Sequence, residues 1–501
     1  MSDRPNIIFL LNDHQAYYGH ENRPSSPEIK RPNFKNLAKE GVHFTNMYTA
    51  CPLCGPTRRT FLTGLYPHNH LELLNEVNHA FDKPTYLEKL SKAGYQCYYY
   101  GKWHAGPGTP ITKFNCEGFS LPEYGNPYTT PEYKSYVKEL GLQRFQVRIQ
   151  HSFLDPKWPK TKELGIKEGE LHQPLDPELL SEHATGIMTT PKETHEAFFL
   201  AYLACKKLEE LAEKKQNEPF HLRVDFWGPH QPYYVPQEYR DLYNAEEISE
   251  YPNFDDDLKG KPEIYKFDLN YPISKNGKLK YPNPLPWSTW QEVLAFHYAH
   301  ISLVDDAGGL ILNKVKELGL DSNTMIIWTT DHGDAVASHG GHFDKDCYMP
   351  QEMIRVPLTI SFPEKVAANQ TNNSLVNSID IAPTILDAAG LSFDNPIDGT
   401  SLLPLMKKEE TEWREDLMIE THGHFHLHLG RSIVTDKYKY IYNEGYKDEF
   451  YDIIEDPYEL NNLIDDENYV KEIVDMKNRL EKWREKTGDV MTKRMIRKKT
   501  R

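Results

Sequence analysis

The chain has 501 residues, a net charge of -16 and only six cysteines. That length fits one large domain plus a small one, or two to three ordinary domains, and the acidic balance excludes a general nucleic-acid or anionic-membrane binder. The sparse cysteines exclude a small disulfide scaffold, no run approaches the roughly 18 apolar residues of a membrane span, and the opening MSDRPNIIFLLND carries no secretory signal, so a cytoplasmic location is expected.

Residues 6–13, NIIFLLND, predict a buried strand. TYLEKLSKAG (85–94) predicts a helix closed by Gly94, and YQCYYYGKWH (95–104) the strand after it. Residues 107–190 are rich in Pro, Tyr and His and too long for a plain connector, so they read as a loop excursion. An amphipathic helix is expected over 194–215 and a strand over FHLRVDFWGPH (220–230). A second excursion covers 251–287. Ser288, with Gln291 three residues on, then fits a capping box opening a helix through YAHISLVDDAGGLILNKVKEL. NTMIIWTTDHGD (323–334) predicts another buried strand. After a polar linker from Met406 come strand-like LMIETHGHFHLHLG and RSIVTDKYKYIYNEG, a helix over 469–488 and a basic, solvated tail, MTKRMIRKKTR. The expectation is an α/β fold: a large, mostly parallel sheet sandwiched by helices over 1–405, and a small α+β domain over 406–501.

Four predicted strands end in chemistry: Asp13-His14, Asp331-His332, Lys102 with His104, and Pro229-His230. Open α/β sheets bind ligands outside the carboxyl ends of their strands, so these side chains are expected around one crevice. Carboxylates supply hard oxygens for a divalent cation, and such a cation steadies an anionic reacting group. Lys102, His104, His230 and Lys345 suit the remaining oxygens of a tetrahedral oxyanion ester: phosphate, phosphonate or sulfate. No G-x-S-x-G elbow, phosphate loop or dinucleotide glycine spacing is present. The best nucleophile segment is CPLCGPTRRTFLTG (51–64). Pro56 suits the first turn of a helix, which sets Cys54 beside a helix N-terminus where anions are favoured, with Arg58 one turn on.

CGPTRRTFLTG resembles the sulfatase signature, whose Cys-x-Pro-x-Arg core falls on Cys54, Pro56 and Arg58. RPNIIFLLND, GKWHAG, PHQPY, YAHISLVDDAGG, DHGD, RVPLTI, DIAPTILDAAGL, DGTSLLPL and YDIIEDPYELNNL are similar to sulfatase landmarks in family order, over nearly the whole chain. The resemblance implies that Cys54 is oxidised to Cα-formylglycine by a maturation enzyme. The hydrate of that aldehyde attacks sulfur with one hydroxyl and expels sulfate with the other. By position it implies Arg58 beside the alkoxide and Asp13, Asp331, His332 and the converted Cys54 around the metal. Lys102 and Lys345 would bind sulfate oxygens, His104 would deprotonate the spare hydroxyl, and His230 would serve as general acid at the leaving oxygen.

Two departures bear on the metal. The family commonly has a second aspartate where His14 stands and Asn where His332 stands. Ca²⁺ is expected from the family, with Mn²⁺ or another divalent metal as the alternative for an imidazole-richer set, and with His14 as ligand or outer partner. Tyr233 is a candidate substrate wall. His422, His424, His426 and His428 would share one strand face, with His422 taken forward as a substrate contact. Asp305-Asp306 read as caps or ion pairs, and Cys51 as a buried small hydrophobe. The function expected is hydrolysis of an aryl or carbohydrate sulfate. The alternatives are a phosphonate monoester or phosphodiester hydrolase, or a non-catalytic anion- or glycan-binding descendant.

Overall fold

Uninterrupted apolar strands such as IIFLL bury both faces, and they do so here in a nine-stranded, mostly parallel sheet. The computed structural model describes residues 4–17, 26–152, 165–177, 183–213, 218–363 and 365–490. In chain order the strands are β1 (Asn6–Asn12), β2 (Val42–Tyr48), β3 (Gln96–Lys102), β4 (Glu117–Leu121), β5 (Phe220–Asp225), β6 (Thr324–Thr330), β7 (Arg355–Ser361), β8 (Gln370–Asn372) and β9 (Val376–Asn377). Their spatial order is β8-β2-β7-β6-β1-β5-β3-β4, with β9 also on β2. Strands β6, β1, β5, β3 and β4 run parallel, and β7 is antiparallel to both its neighbours. The parallel ends are level, since Asn12 pairs with Thr330, and Leu11 and Gly101 both pair with Asp225.

Side chains alternate faces along β1. Ile8 and Leu10 join Phe199, Leu200, Val304 and Ile311 from helices Glu196–Glu213 and Trp287–Glu317. Ile7, Phe9 and Leu11 join Phe61, Leu62, Leu90 and Ile385 from helices on the other face. The long helix approaches so closely that a Cβ on Gly308 would stand 2.4 Å from the Trp328 ring, which accounts for glycine in VDDAGG.

A smaller C-terminal domain carries an antiparallel sheet of β10 (Leu417–Gly423), β11 (Leu427–Val434), β12 (Tyr438–Asn443) and β13 (Glu449–Asp452) in consecutive order. Helix Val470–Thr487 lays Met476, Leu480 and Trp483 on Met418 and Ile433, and the same cluster includes Ala50, Tyr66 and Ile379 of the larger body.

Three local expectations change. The 107–190 excursion is not mere loop: 147–152, 171–172 and 184–188 join 233–235 in a second, four-stranded sheet. The long helix begins at Trp287 with Pro286 as N-cap, so Ser288 lies inside it and caps nothing. The four alternating histidines do not share a face, because the chain turns back between β10 and β11. Gly423 makes that turn at φ +88, where a Cβ would stand 1.8 Å from the His426 carbonyl. Among the described residues no helix is long and apolar enough to cross a membrane. The basic tail lies outside the described residues.

Candidate active site

The four adjacent strands β6, β1, β5 and β3 deliver their following residues to one buried crevice, and helix Cys54–Thr63 closes it with every one of its residues buried. Cys54 opens that helix. Its Sγ lies 3.1 Å from His332 Nε2 and 3.8 Å from Asp13 Oδ1. Asp13, Cys54, Asp331 and His332 each offer a donor atom, all within 4.8 Å of one another. The His332 Nδ1–H donates to the Gly333 carbonyl at 2.8 Å, which leaves a lone pair on Nε2 aimed at Cys54. Burial also lowers the His332 pKa, keeping the ring neutral. Two carboxylates, a neutral imidazole lone pair and the group at position 54 therefore fit a divalent cation. The imidazole makes the set acceptable to a transition metal as well as to Ca²⁺.

Arg58 lies one turn down the helix from Cys54. Its guanidinium reaches three strand ends: Nε donates to Asp331 at 2.9 Å, Nη1 to Asp225 at 2.9 Å, and Nη2 stands 3.3 Å from Asp13. Lys102 Nζ donates to the other Asp13 oxygen at 2.5 Å. Burial works to raise the Asp331 pKa, but the Arg58 and Lys102 cations outweigh it and hold the carboxylate well below its ordinary range. Burial pushes the Cys54 thiol up to about 12 despite Lys102 and Lys345. At neutral pH position 54 is thus a protonated thiol, a poor nucleophile as it stands.

His104 follows β3 in a left-handed conformation (φ 43) with its ring 4.1 Å from that of Tyr124. Burial, then Lys102 and Arg58, lower its pKa well below the usual value, so its imidazole is a neutral base. His230 reaches the crevice through a turn after β5. Its Nδ1–H donates to the Gln231 carbonyl at 2.9 Å, and burial with Lys345 keeps it neutral. His230 in this arrangement presents a lone pair at Nε2 toward the crevice. Lys345 donates to Asp344 at 2.9 Å and is itself buried.

Three expected site residues stand elsewhere. His14 leaves the Asp13–Cys54–Asp331–His332 set: its backbone N–H donates to Asp331 at 3.0 Å, while its ring turns to His230, 4.4 Å away between centroids. A left-handed backbone (φ 63) at His14 produces this split. Tyr233 is fully buried and packs 4.9 Å from the His297 ring, so it is not an open substrate wall. His422 is fully buried and donates from Nε2 to Glu420 at 3.1 Å. Its neighbour at the hairpin turn, His424, is the one in the field of Lys345, Asp344 and His332, and burial with Lys345 lowers its pKa to about 3.

Asp225, Tyr124, Asp334 and Asp344 were missed from sequence. Asp225 ends β5, where the strand-end rule would have found it. Asp334 and Asp344 lie in the segment leading to Lys345, and only folding reveals their approach to His14. Asp305, on the long helix, accepts from the Asn33 and Phe34 backbones at 2.9 Å and thus caps a neighbouring helix. A cleft of about 850 Å³ beside Tyr48, Arg355 and Asn373 touches none of the crevice side chains.

Known proteins resemble this chain over nearly its whole length. The family model described as Sulfatase matches residues 5–391, and one described as N-sulphoglucosamine sulphohydrolase, C-terminal, matches residues 338–486. An N-acetylglucosamine-6-O-sulfatase of Bacteroides thetaiotaomicron is 25% identical, the alignment covering 97% of this chain and 87% of the relative. An arylsulfatase of Clostridium perfringens is 26% identical over 94% of this chain and 92% of its own. Among solved structures, the phosphonate monoester hydrolase of Agrobacterium radiobacter shares the fold, with a TM-score of 0.73 at 21% identity over 97% of this chain and 96% of that one.

Proposed function

Because the chain belongs to the sulfatase family and is a sulfuric ester hydrolase, we propose that it cleaves a carbohydrate or aryl sulfate monoester, using a formylglycine made from Cys54. The observation that carries this reading is Cys54 itself: a buried thiol pushed up to about 12, at a helix N-terminus, 3.1 Å from a lone-pair imidazole and beside two carboxylates. A thiol so protonated is of little use for attack, whereas conversion to an aldehyde hydrate supplies two hydroxyls on one carbon. A cation held by Asp13, Asp331, His332 and the converted residue 54 would supply Lewis-acid stabilisation of the anionic ester.

The chain's own residues then divide the work. Arg58, fixed by three carboxylates, sets its cationic guanidinium beside the reacting group. Lys102 and Lys345 bind the non-reacting sulfate oxygens, since both are buried cations at the crevice. His104, held neutral, accepts the proton of the spare hydroxyl. His230 contacts the leaving oxygen. His424, at the β10–β11 turn near Lys345, faces the alcohol portion.

Peptide mass spectrometry of residue 54 in protein from its native host, coupled to a panel of sulfate esters, tests this. Aldehyde at position 54 is expected, together with sulfate release that vanishes in Cys54→Ala. Full turnover by that variant defeats the reading. The imidazole of His332 in the donor set favours one second reading, hydrolysis of a phosphonate monoester or phosphodiester, and a diester outpacing every sulfate ester would select it.

A further inference from the structure

A second group of donors lies beside the first. His14, His230 and Asp344 each offer a ligand atom within 4.8 Å of the others, and all three are buried. Asp334, 1% exposed, adds a carboxylate oxygen 3.4 Å from His14 Nε2, and Asp344 Oδ1 lies 3.3 Å from the same nitrogen. Among the described residues neither ring nitrogen of His14 nor Asp334 Oδ2 finds a hydrogen-bond partner, although each is buried. Leaving such atoms unsatisfied is costly, and the left-handed backbone at His14 (φ 63), a non-glycine residue, adds strain. The fold therefore holds the His14 ring in place against two penalties.

The spacing identifies what satisfies these atoms. Donors at about 2.0–2.2 Å from a tetrahedral zinc stand roughly 3.3–3.6 Å apart, and the two measured separations, 3.3 and 3.4 Å, meet that edge length. His230 shows the outer contact of a metal ligand, its Nδ1–H donating to the carbonyl of the next residue at 2.9 Å, as His332 does at 2.8 Å. Lys345 takes one position on Asp344 Oδ1 at 2.9 Å, but an ionised carboxylate has about four lone-pair sites. Asp334 and Asp344 thus set two carboxyl groups beside the His14 ring, with one lysine on Asp344.

The geometry points to a second divalent-cation site formed by His14, His230, Asp334 and Asp344, whose two imidazoles and two carboxylates suit zinc or manganese over calcium. It is distinct from the Asp13–Cys54–Asp331–His332 set and does not depend on conversion of Cys54. The His14 and His332 rings are 4.9 Å apart, so the two cations would share the crevice. Paired cations a few ångströms apart can steady both the attacking and the leaving oxygen. With that site filled, His230 would reach the leaving oxygen through the cation it holds at Nε2 rather than by direct contact.

Metal-free full-length protein is incubated with Zn²⁺, desalted and analysed for bound metal, with circular dichroism confirming that each variant is folded. Two equivalents are expected in the wild type and one in each of His14→Ala, Asp334→Asn and Asp331→Asn. With Mn²⁺, paramagnetic resonance should show a coupled pair in the wild type and an isolated ion in His14→Ala. A single equivalent that survives His14→Ala but is lost in Asp331→Asn overturns the second site and leaves the sulfatase reading intact. Two equivalents retained in both His14→Ala and Asp334→Asn overturn it as well, and no bound zinc in the wild type overturns both sites.

Discussion

Asp225→Asn tests whether the crevice is held by its buried charges. The Asp225 carboxylate accepts from Arg223 Nε at 2.7 Å and Nη2 at 2.8 Å, from Arg58 Nη1 at 2.9 Å, and from the Tyr99 hydroxyl at 2.7 Å. Arg58 keeps Asp13 and Asp331 when that charge is removed. Arg223, fully buried, loses its carboxylate partner and keeps the Tyr86 hydroxyl at 3.2 Å and the Phe9 ring, neither of which carries a charge. Stranding one member of a buried ion pair costs about 3–5 kcal/mol. At roughly 2.1 cal/mol/K per residue, the 501-residue chain should lose about 3–5 °C in Tm. Arg58 loses one of three anchors, and a small displacement of it should lower kcat/KM by up to about 100-fold. Thermal unfolding and sulfate release are measured on the single variant and on Arg223→Met/Asp225→Asn. The double variant should regain most of the Tm because no buried charge is left alone. A single variant within about 1 °C of the wild type, or a double variant no better than the single, would refute this account of the network.

The other expectations concern the anion, the metal and pH. Lys345→Ala removes a charged hydrogen-bond donor worth about 1.5–3 kcal/mol, so kcat/KM should fall roughly 10- to 150-fold. Turnover measured after chelation should be lost and return on adding a divalent metal, and His332→Ala should need a higher metal concentration for half-maximal recovery. His68 donates from Nδ1 to Glu420 at 2.5 Å and from Nε2 to the Thr487 carbonyl at 3.3 Å, so the bound ring is an imidazolium. Burial opposes that charge, yet Glu420 raises the His68 pKa above its ordinary value, while His68 and Arg431 outweigh burial at Glu420 and lower its own. The His68 contribution is therefore complete below about pH 6.5 and fades as pH rises through the folded-state value, and the Glu420 contribution is present above about pH 4.3 and lost in acid. Unfolding midpoints across pH should show the alkaline decline flattened in His68→Gln; an unchanged alkaline limb would contradict the assignment.

Much of this was legible in the sequence because parallel sheets concentrate chemistry at strand ends. Asp13, Lys102, His230, Asp331 and His332 each follow an apolar run, and period-free hydrophobicity was enough to locate them. Cys54 and Arg58 were legible from helix-terminus physics together with the family signature. What stayed hidden depends on backbone conformation or on long-range approach. A Ramachandran change at His14 rotates one ring out of the first donor set, and no residue type announces it. At residues 422–428 the alternating histidines counterfeit one strand face, and only the left-handed Gly423 reveals a turn. Asp225 sits in RVD, which reads as a strand with a polar end until Arg58 arrives from 167 residues away.

The adjacent arginines of CGPTRRTFLTG show how one helix serves the crevice from two sides. Arg58 points to the strand ends. Arg59, on the next helical position, turns away and donates from Nε to the Ala105 carbonyl at 2.7 Å, from Nη2 to the His79 carbonyl at 2.6 Å and to Glu72 at 3.2 Å. Its guanidinium also stacks 3.4 Å over the Phe81 ring. Gly106 leaves room for this, since a Cβ there would lie 2.2 Å from Arg59 Nη2. The carbonyl that Arg59 grips follows directly on His104, the neutral base of the crevice. The helix that carries Cys54 therefore also fixes the loop carrying its proton acceptor, and the distance between residue 54 and His104 is set within one rigid unit. Such preorganisation is what charge stabilisation in a water-poor site requires, and it explains why a helix with two consecutive cations is buried on every side.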